Sequence, residues 1–141
     1  MKINIDQVRP EGLHLEEDIS AAQLDVDTQE AKLAGVLRVS ADVTRVDEVV
    51  RVALRLQGAL TFLCCRCLEE YQVAIDRTLE HNFPVERSQH TLDITQDIRD
   101  DLILEYPFKP LCKTDCKGIC PRCGNNRNRG ECRCSTKENT N

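Results

Sequence analysis

Apolar residues recur at every second position over much of the first eighty residues, the spacing of strands with one buried and one solvated face. The first alternation, Lys2-Ile3-Asn4-Ile5-Asp6 within residues 2–8, stops at Pro10-Glu11-Gly12 and predicts a strand followed by a turn. Residues 13–19 alternate again through Leu13, Leu15 and, after a phase slip, Ile19, and the stretch from Asp18 to Glu30 has weak periodicity and reads as irregular. From Ala31 onward, Leu33, Gly35, Leu37, Val39, Ala41 and Val43 share one face while Lys32, Arg38, Ser40, Asp42 and Thr44 take the other, which predicts one amphipathic strand. Asp47-Glu48 supplies a turn, and Val50, Val52, Leu54 and Leu56 return antiparallel, with Gly58 as a candidate bulge. Leu60, Phe62 and Cys64 carry this strand into a cysteine cluster, and Val73, Ile75 and Leu79 alternate beyond it, so the cluster sits on a hairpin.

The period then changes. Ile94, Ile98 and Leu102 lie four apart, with Asp97, Asp100, Asp101 and Glu105 as a solvated face, which predicts a helix at about 93–105 capped by Thr91 or Asp93 and ended by Pro107. Residues 84–90 read as a loop. After Lys109 hydrophobic residues nearly vanish, so residues 109–134 need a metal or a docking surface to be ordered. The expected fold is α+β: a mostly antiparallel sheet or partial barrel with a helix near its end in residues 1–108, a cysteine-rich zinc knuckle in 109–134, and a polar tail in 135–141.

Composition narrows the setting. The chain has 141 residues, 40% of them hydrophobic and none of them Trp, enough for one domain with a core of Val, Ile and Leu plus a small appendage. No apolar run approaches the ~18 residues of a membrane span, and Met1 to Asp6 lack the apolar stretch of a secretory signal, so a cytoplasmic protein without a membrane partner is expected. Residues 1–105 hold 11 Lys+Arg against 21 Asp+Glu, net −10, and residues 106–141 hold 8 against 3, net +5. Four tail thiolates around zinc would lower that +5 to about +3.

Nine cysteines stand at 64, 65, 67, 112, 116, 120, 123, 132 and 134. Thiols this closely spaced in a cytosolic chain point to metal ligation or redox chemistry before disulfides. Cys120-Pro121-Arg122-Cys123-Gly124 is a zinc knuckle: C-x-x-C on a tight turn aims two sulfurs at one ion, Pro stiffens the turn, and Gly allows a positive φ. Cys112, Cys116, Cys132 and Cys134 are its candidate partners, and four ligands can be drawn from these six in several ways; Cys116 is near enough in sequence to complete a three-thiol cup that Cys132 and Cys134 close. Cys64 and Cys67 form a second C-x-x-C that joins tail thiols in a second site, leaves reduced thiols without metal, or serves redox chemistry. The last expects a helix N-terminus, which a hairpin does not supply. Period two turns Cys65 away as the odd thiol. The donor set, all sulfur with no His in the tail, favours a structural zinc over a catalytic metal.

Other chemistry has little support. His14, His81 and His90 lie far apart and read as surface or strand residues. No nucleophile elbow, phosphate-binding loop or dinucleotide fingerprint is present, so an enzyme with a small-molecule substrate is not expected. Lys113, Lys117, Arg122, Arg127, Arg129 and Arg133 crowd around the knuckle, either to meet RNA phosphates or an acidic partner, or as a solvated counterweight to the acidic body.

Cys64-x-x-Cys67-Leu68 at mid-chain, followed by Leu111-Cys112, Asp115-Cys116-Lys117-Gly118, Cys120-Pro121-x-Cys123-Gly124, Asn128 and Cys132-x-Cys134, resembles the bacterial and plastid YceD family. Arg127 stands where members commonly carry an apolar residue. The resemblance implies a non-enzymatic accessory factor in the accumulation or processing of large-subunit ribosomal RNA, with ribosomal RNA or a large-subunit ribosomal protein as partner. The alternative is an adaptor or chaperone-like module that holds a basic ribosomal protein without touching RNA.

Overall fold

Residues 1–130, 132 and 134 of the protein are described, from a computed structural model. Among the described residues seven strands and two α-helices follow one another as β1 (Lys2–Asn4), β2 (Leu13–Ser20), α1 (Ala21–Leu24), β3 (Ala31–Leu33), β4 (Val36–Val46), β5 (Val49–Leu63), β6 (Glu70–Pro84), β7 (Thr91–Asp93) and α2 (Thr95–Leu104). The long central strand β5 pairs antiparallel with β6 on one side and with β4, then β3, on the other; β2 extends the sheet beyond β4. The short strands β1 and β7 pair separately. Among the described residues β2 and β6 have no strand beyond them, so the sheet is open and does not close into a barrel.

One face of this sheet is the core. Leu37, Val39, Ala41 and Val43 of β4 and Val50, Val52, Leu54 and Leu56 of β5 are completely buried, as the alternation predicts. Ile3, Ile5, Leu24, Ile94, Ile98 and Leu102 cover them from β1, its following turn, α1 and α2. The opposite face carries Arg55 and Asp76 as a cross-strand pair at 2.8 Å and stays in solvent.

Several local expectations are corrected. β1 ends at Asn4, and Ile5–Gln7 turn in a 3-10 helix that still buries Ile5. No phase slip interrupts β2: its register against β4 is continuous from Leu13 to Ser20, and Glu17 simply occupies an inward position beside Val39. Residues 21–24, expected to be irregular, form α1, where Gln23 Oε1 accepts from Ser20 N at 2.9 Å. The single strand expected from Ala31 is two. Between Leu33, opposite Leu60, and Arg38, opposite Gln57, one chain takes five steps while β5 takes three, so the extra residues lie around Gly35 and not at Gly58. Gly58 is in continuous register with Ile75; a side chain there would crowd Leu37 Cδ1 at 3.3 Å.

The α2 helix starts two residues later than expected because Thr91–Asp93 pair with β1. Neither Thr91 nor Asp93 is its N-cap: that position is Ile94, which makes no side-chain cap bond, and Asp93, one residue earlier, accepts from Thr95 N at 3.0 Å and from Thr95 Oγ1 at 2.6 Å. Two of the acids assigned to a solvated face bind α2 to the sheet: Asp101 meets His81 Nε2 at 2.7 Å and Glu105 meets Arg77 Nε at 2.9 Å. Beyond α2, Tyr106 packs edge-on against Phe62 near the end of β5 and donates its hydroxyl to Val26 O at 3.0 Å. That contact delivers residues 107–111 to the β5–β6 hairpin loop, where the cysteines are.

Candidate metal centres

Eight of the nine cysteines gather into two groups of four. Cys64, Cys67, Cys112 and Cys116 form one, Cys120, Cys123, Cys132 and Cys134 the other, with all sulfurs of a group within 4.8 Å of one another. Cys65 is exposed and outside both, the odd thiol expected, although it lies in the hairpin turn beyond the end of β5 and not in the strand period. Cys116 therefore belongs with Cys64 and Cys67, and not to the cup around Cys120 and Cys123. It sits four residues before Cys120, and the positive φ of +74° at Gly118 turns the chain between them.

The first group is built half from the body and half from the tail. Residues 64–69 close the β5–β6 hairpin, with Cys64 N donating to Glu69 O at 2.9 Å and Leu68 N to Cys64 O at 3.0 Å. Leu68, at φ +60°, takes the left-handed position that Gly124 takes at +73° in the second loop, where Gly124 N donates to Cys120 O at 2.8 Å. The two C-x-x-C loops are thus the same turn built twice. Against the first, the tail docks through Cys65 N to Pro110 O at 2.8 Å, Arg66 Nη1 to Cys116 O at 3.1 Å, and Arg129 Nη2 to Glu69 Oε1 at 2.6 Å. Cys64, Cys67 and Cys116 are buried with Tyr71, Leu111, Cys112 and Ile119 packed on them.

Sulfur spacing suits a tetrahedral ion. Cys64 Sγ lies 3.7 Å from Cys116 Sγ, and Cys67 Sγ 3.6 Å from Cys112 Sγ. A tetrahedron with corners about 2.3 Å from a central zinc has edges of about 3.8 Å. Within each group the thiols are pushed in opposite directions. Burial pushes Cys64 up, but backbone N–H groups of Cys67, Cys112 and Arg66 together outweigh it and bring it down to about 6. Burial, then the neighbouring sulfurs, push Cys112 up to about 12. In the second group, the backbone N–H groups of Cys123 and Arg122 bring Cys120 down to about 6, and the bond to Cys123 pushes Cys134 up to about 11. One thiolate in each group forms readily and opposes the next; a dication at the centre removes that opposition.

Of the basic residues expected to meet a partner, Lys113, Lys117, Arg122 and Arg127 are exposed and, among the described residues, form no ion pair. Arg129 is paired to Glu69, and Arg133 lies outside the described residues, as do residues 135–141. Each histidine meets a carboxylate: His14 with Asp42, His81 with Asp101, His90 with Asp6. Sequence reasoning missed Arg66 and Glu69, and it named Asn128 only within the family motif, with no role. Asn128 Nδ2 donates to Cys116 Sγ at 3.3 Å and holds that thiol below its ordinary range, and its Oδ1 accepts from Lys117 N at 2.9 Å. The motif contains this residue, but nothing in the local pattern gives its role, because its target lies twelve positions earlier.

Residues 52–141 match the family described as large ribosomal RNA subunit accumulation protein YceD. The chain belongs to the YceD family. An uncharacterized protein of Mycobacterium tuberculosis is 30% identical over 115 residues, 80% of this chain and 56% of that protein. Another from Mycobacterium leprae is 31% identical over 97 residues, 58% of this chain and 45% of its own. A chloroplastic YceD homolog of Arabidopsis thaliana, named for large ribosomal RNA subunit accumulation, is 39% identical over 57 residues, 40% of this chain and 17% of that protein. The chain spans about half the length of the Mycobacterium relatives it matches. No solved structure matches it significantly. Among the described residues no helix is long and apolar enough to cross a membrane.

Proposed function

We propose that this YceD-family protein is a non-enzymatic cytoplasmic factor in large-subunit ribosomal RNA accumulation, that it binds two zinc ions through the two cysteine groups, and that it contacts ribosomal RNA through the metal-docked tail. The observation that carries the reading is the composition of the first group: two thiols from a body hairpin and two from the tail. An ion there fastens a basic segment to an acidic body at a fixed orientation. Zinc suits the donors, four soft thiolates with no open position, and its role is structural. The family description names accumulation of an RNA, not a reaction.

Lys113, Lys117, Arg122 and Arg127 are exposed cations of the docked tail that form no ion pair among the described residues, and Arg133 extends the same run in sequence. Two zinc ions on eight thiolates add four net negative charges, so phosphate contact depends on these side chains and not on the metal. The test is binding of large-subunit ribosomal RNA fragments to the zinc-loaded protein across a salt series. Four phosphate contacts on single-stranded RNA give a slope of log K against log salt of about −3. Replacing the four cations with Ala is expected to flatten that slope and weaken binding of all fragments alike. No binding, or binding that ignores both salt and these substitutions, would refute the RNA role; tight capture of a basic large-subunit ribosomal protein instead would favour the adaptor reading.

A further inference from the structure

The segment from Cys116 to Cys120 belongs to both cysteine groups, and residues 125–128, in the loop after Cys123, run back along it. Cys120 N donates to Asn125 O at 2.9 Å, Ile119 forms a β-bridge with Asn126, Arg127 N donates to Gly118 O at 2.9 Å, and Lys117 N donates to Asn128 Oδ1 at 2.9 Å. The series ends on Cys116 itself, whose Sγ accepts from Asn128 Nδ2 at 3.3 Å. Asn126 Oδ1 accepts from Asn128 N at 2.9 Å and sets the turn that aims the Asn128 side chain. Among the described residues, Asn128 is the only side chain other than cysteine that donates to a sulfur of the first group.

This loop has no apolar core of its own. Its 3-10 turn, Arg127–Arg129, buries no residue, and the amide Nδ2 of Asn126 is buried with no partner. Leaving such a donor unpaired costs roughly 1–3 kcal/mol. Beyond its polar bonds to residues 117–120 and the Arg129–Glu69 pair, the loop is held by two anchors, Cys123 before it and Cys132 after it, both in the second group. Ordering of the loop is therefore linked to filling of that group.

We propose that Asn128 couples the two centres: an ion in the second group orders the 123–132 loop, the loop places the Asn128 amide on Cys116, and the first group then takes its ion more tightly, so the two load cooperatively. The inference rests on the zinc reading above. Its chemistry is that of an amide donor on a metal-bound thiolate, which draws charge from the sulfur and fixes its direction; losing such an outer partner typically weakens a metal site by about 10–100-fold. By reciprocity, an ion in the first group tightens the second by the same factor.

The experiment is a cobalt(II) titration and zinc–chelator competition on the full chain, with the first group identified by the absorption that a Cys64→Ser/Cys67→Ser variant lacks. Asn128→Ala is expected to weaken the first group by about tenfold or more and to move its thiolate-to-cobalt band to longer wavelength, because Cys116 loses a hydrogen bond. Breaking the second group with Cys123→Ser/Cys132→Ser is expected to weaken the first by a similar factor, and adding Asn128→Ala to that variant to change little more. Asn128→Asp, which keeps the acceptor for Lys117 N but sets a carboxylate beside the thiolate, is expected to do at least as much harm as Ala. Wild-type affinity and an unmoved band in Asn128→Ala would overturn the proposal. So would additive losses in the combined variant, since the coupling would then run through the backbone. A wild-type chain that takes up two ions while Asn128→Ala behaves normally sinks this inference alone, whereas a wild-type chain that binds neither metal sinks the zinc reading and this inference with it.

Discussion

Gly118 and Gly124 have almost the same backbone angle, φ +74° and +73°, but different surroundings. Ala at either position incurs the left-handed penalty of about 1–2 kcal/mol. A Cβ on Gly124 would meet nothing within 4 Å, whereas on Gly118 it would lie 3.3 Å from the carbonyl oxygen of Arg66. That carbonyl is backbone inside the tight Cys64 to Cys67 loop, so it cannot rotate aside as a flexible side chain would. The Arg66 guanidinium, bonded to Cys116 O at 3.1 Å, opposes any separation of loop and tail. Crowding of this kind adds about 1 kcal/mol or more at Gly118.

The pair therefore separates docking of the tail from its internal turn. In zinc–chelator competition, Gly124→Ala is expected to weaken retention in the second group by about 5–30-fold, the equivalent of its backbone penalty. Gly118→Ala is expected to weaken the first group by about fivefold beyond that factor, and to raise cleavage of the tail by a protease. Equal losses in the two variants, or a larger loss of the first ion in Gly124→Ala, would refute the reasoning, because they would show that the Arg66 contact contributes nothing to docking.

Leu102, fully buried under the sheet, is expected to cost about 2–5 kcal/mol when cut to Ala, seen as a lower midpoint in urea unfolding of the body. Asp93 is held below the usual carboxylate range by its bonds to Thr95; the stability it contributes is present above its unfolded pKa and lost as pH falls through its lower folded value, so an acid titration of stability should show less loss in Asp93→Asn than in wild type. The Arg129–Glu69 pair is exposed, with side-chain exposures of 76% and 41%, and Arg129→Ala is expected to change stability by less than about 1 kcal/mol; a loss of several kcal/mol in the same unfolding assay would contradict that.

The sheet was legible in the sequence because its core face keeps strict period two through Leu37 to Val43 and Val50 to Leu56, and one buried face leaves little choice of register. The breaks were not, since the extra residues around Gly35 keep Leu33 and Leu37 on the same parity and so leave no mark on the pattern. Glu17 disguised the continuity of β2 by placing a carboxylate where the period asks for an apolar side chain. At the candidate centres, the eight thiols and the odd Cys65 could be read from spacing alone. Their division into fours could not, because Cys112 and Cys116 are joined to Cys64 and Cys67 by a route through β6 and α2 that only the fold supplies. The role of Asn128, a residue the motif already contains, is hidden for the same reason: it is set by where the loop returns, not by its neighbours.

Chelation gives the sharpest view of how body and tail divide the stability of this chain. The main core runs from Met1 to Leu102 and contains none of the cysteines, while Cys64, Cys67 and Cys116 form a separate cluster. Tyr71 packs against both, and it is attached to β6, which the main core holds in place. Apolar burial thus stabilises the sheet whether or not an ion is present, and the tail, which has almost no apolar surface to bury, is expected to depend on the ions its thiols would hold. Removing metal is expected to leave protection of the amides of Val52, Leu54 and Leu56 against hydrogen exchange unchanged, and to abolish it at Cys65, Cys120, Gly124 and Arg127, whose partners are Pro110, Asn125, Cys120 and Gly118. If the β5 amides lose protection together with those of the tail, the metals hold the whole fold and the division at residue 108 is wrong. If neither set changes, docking does not depend on metal, and the basic residues keep their orientation through Arg66, Glu69 and Ile119 alone.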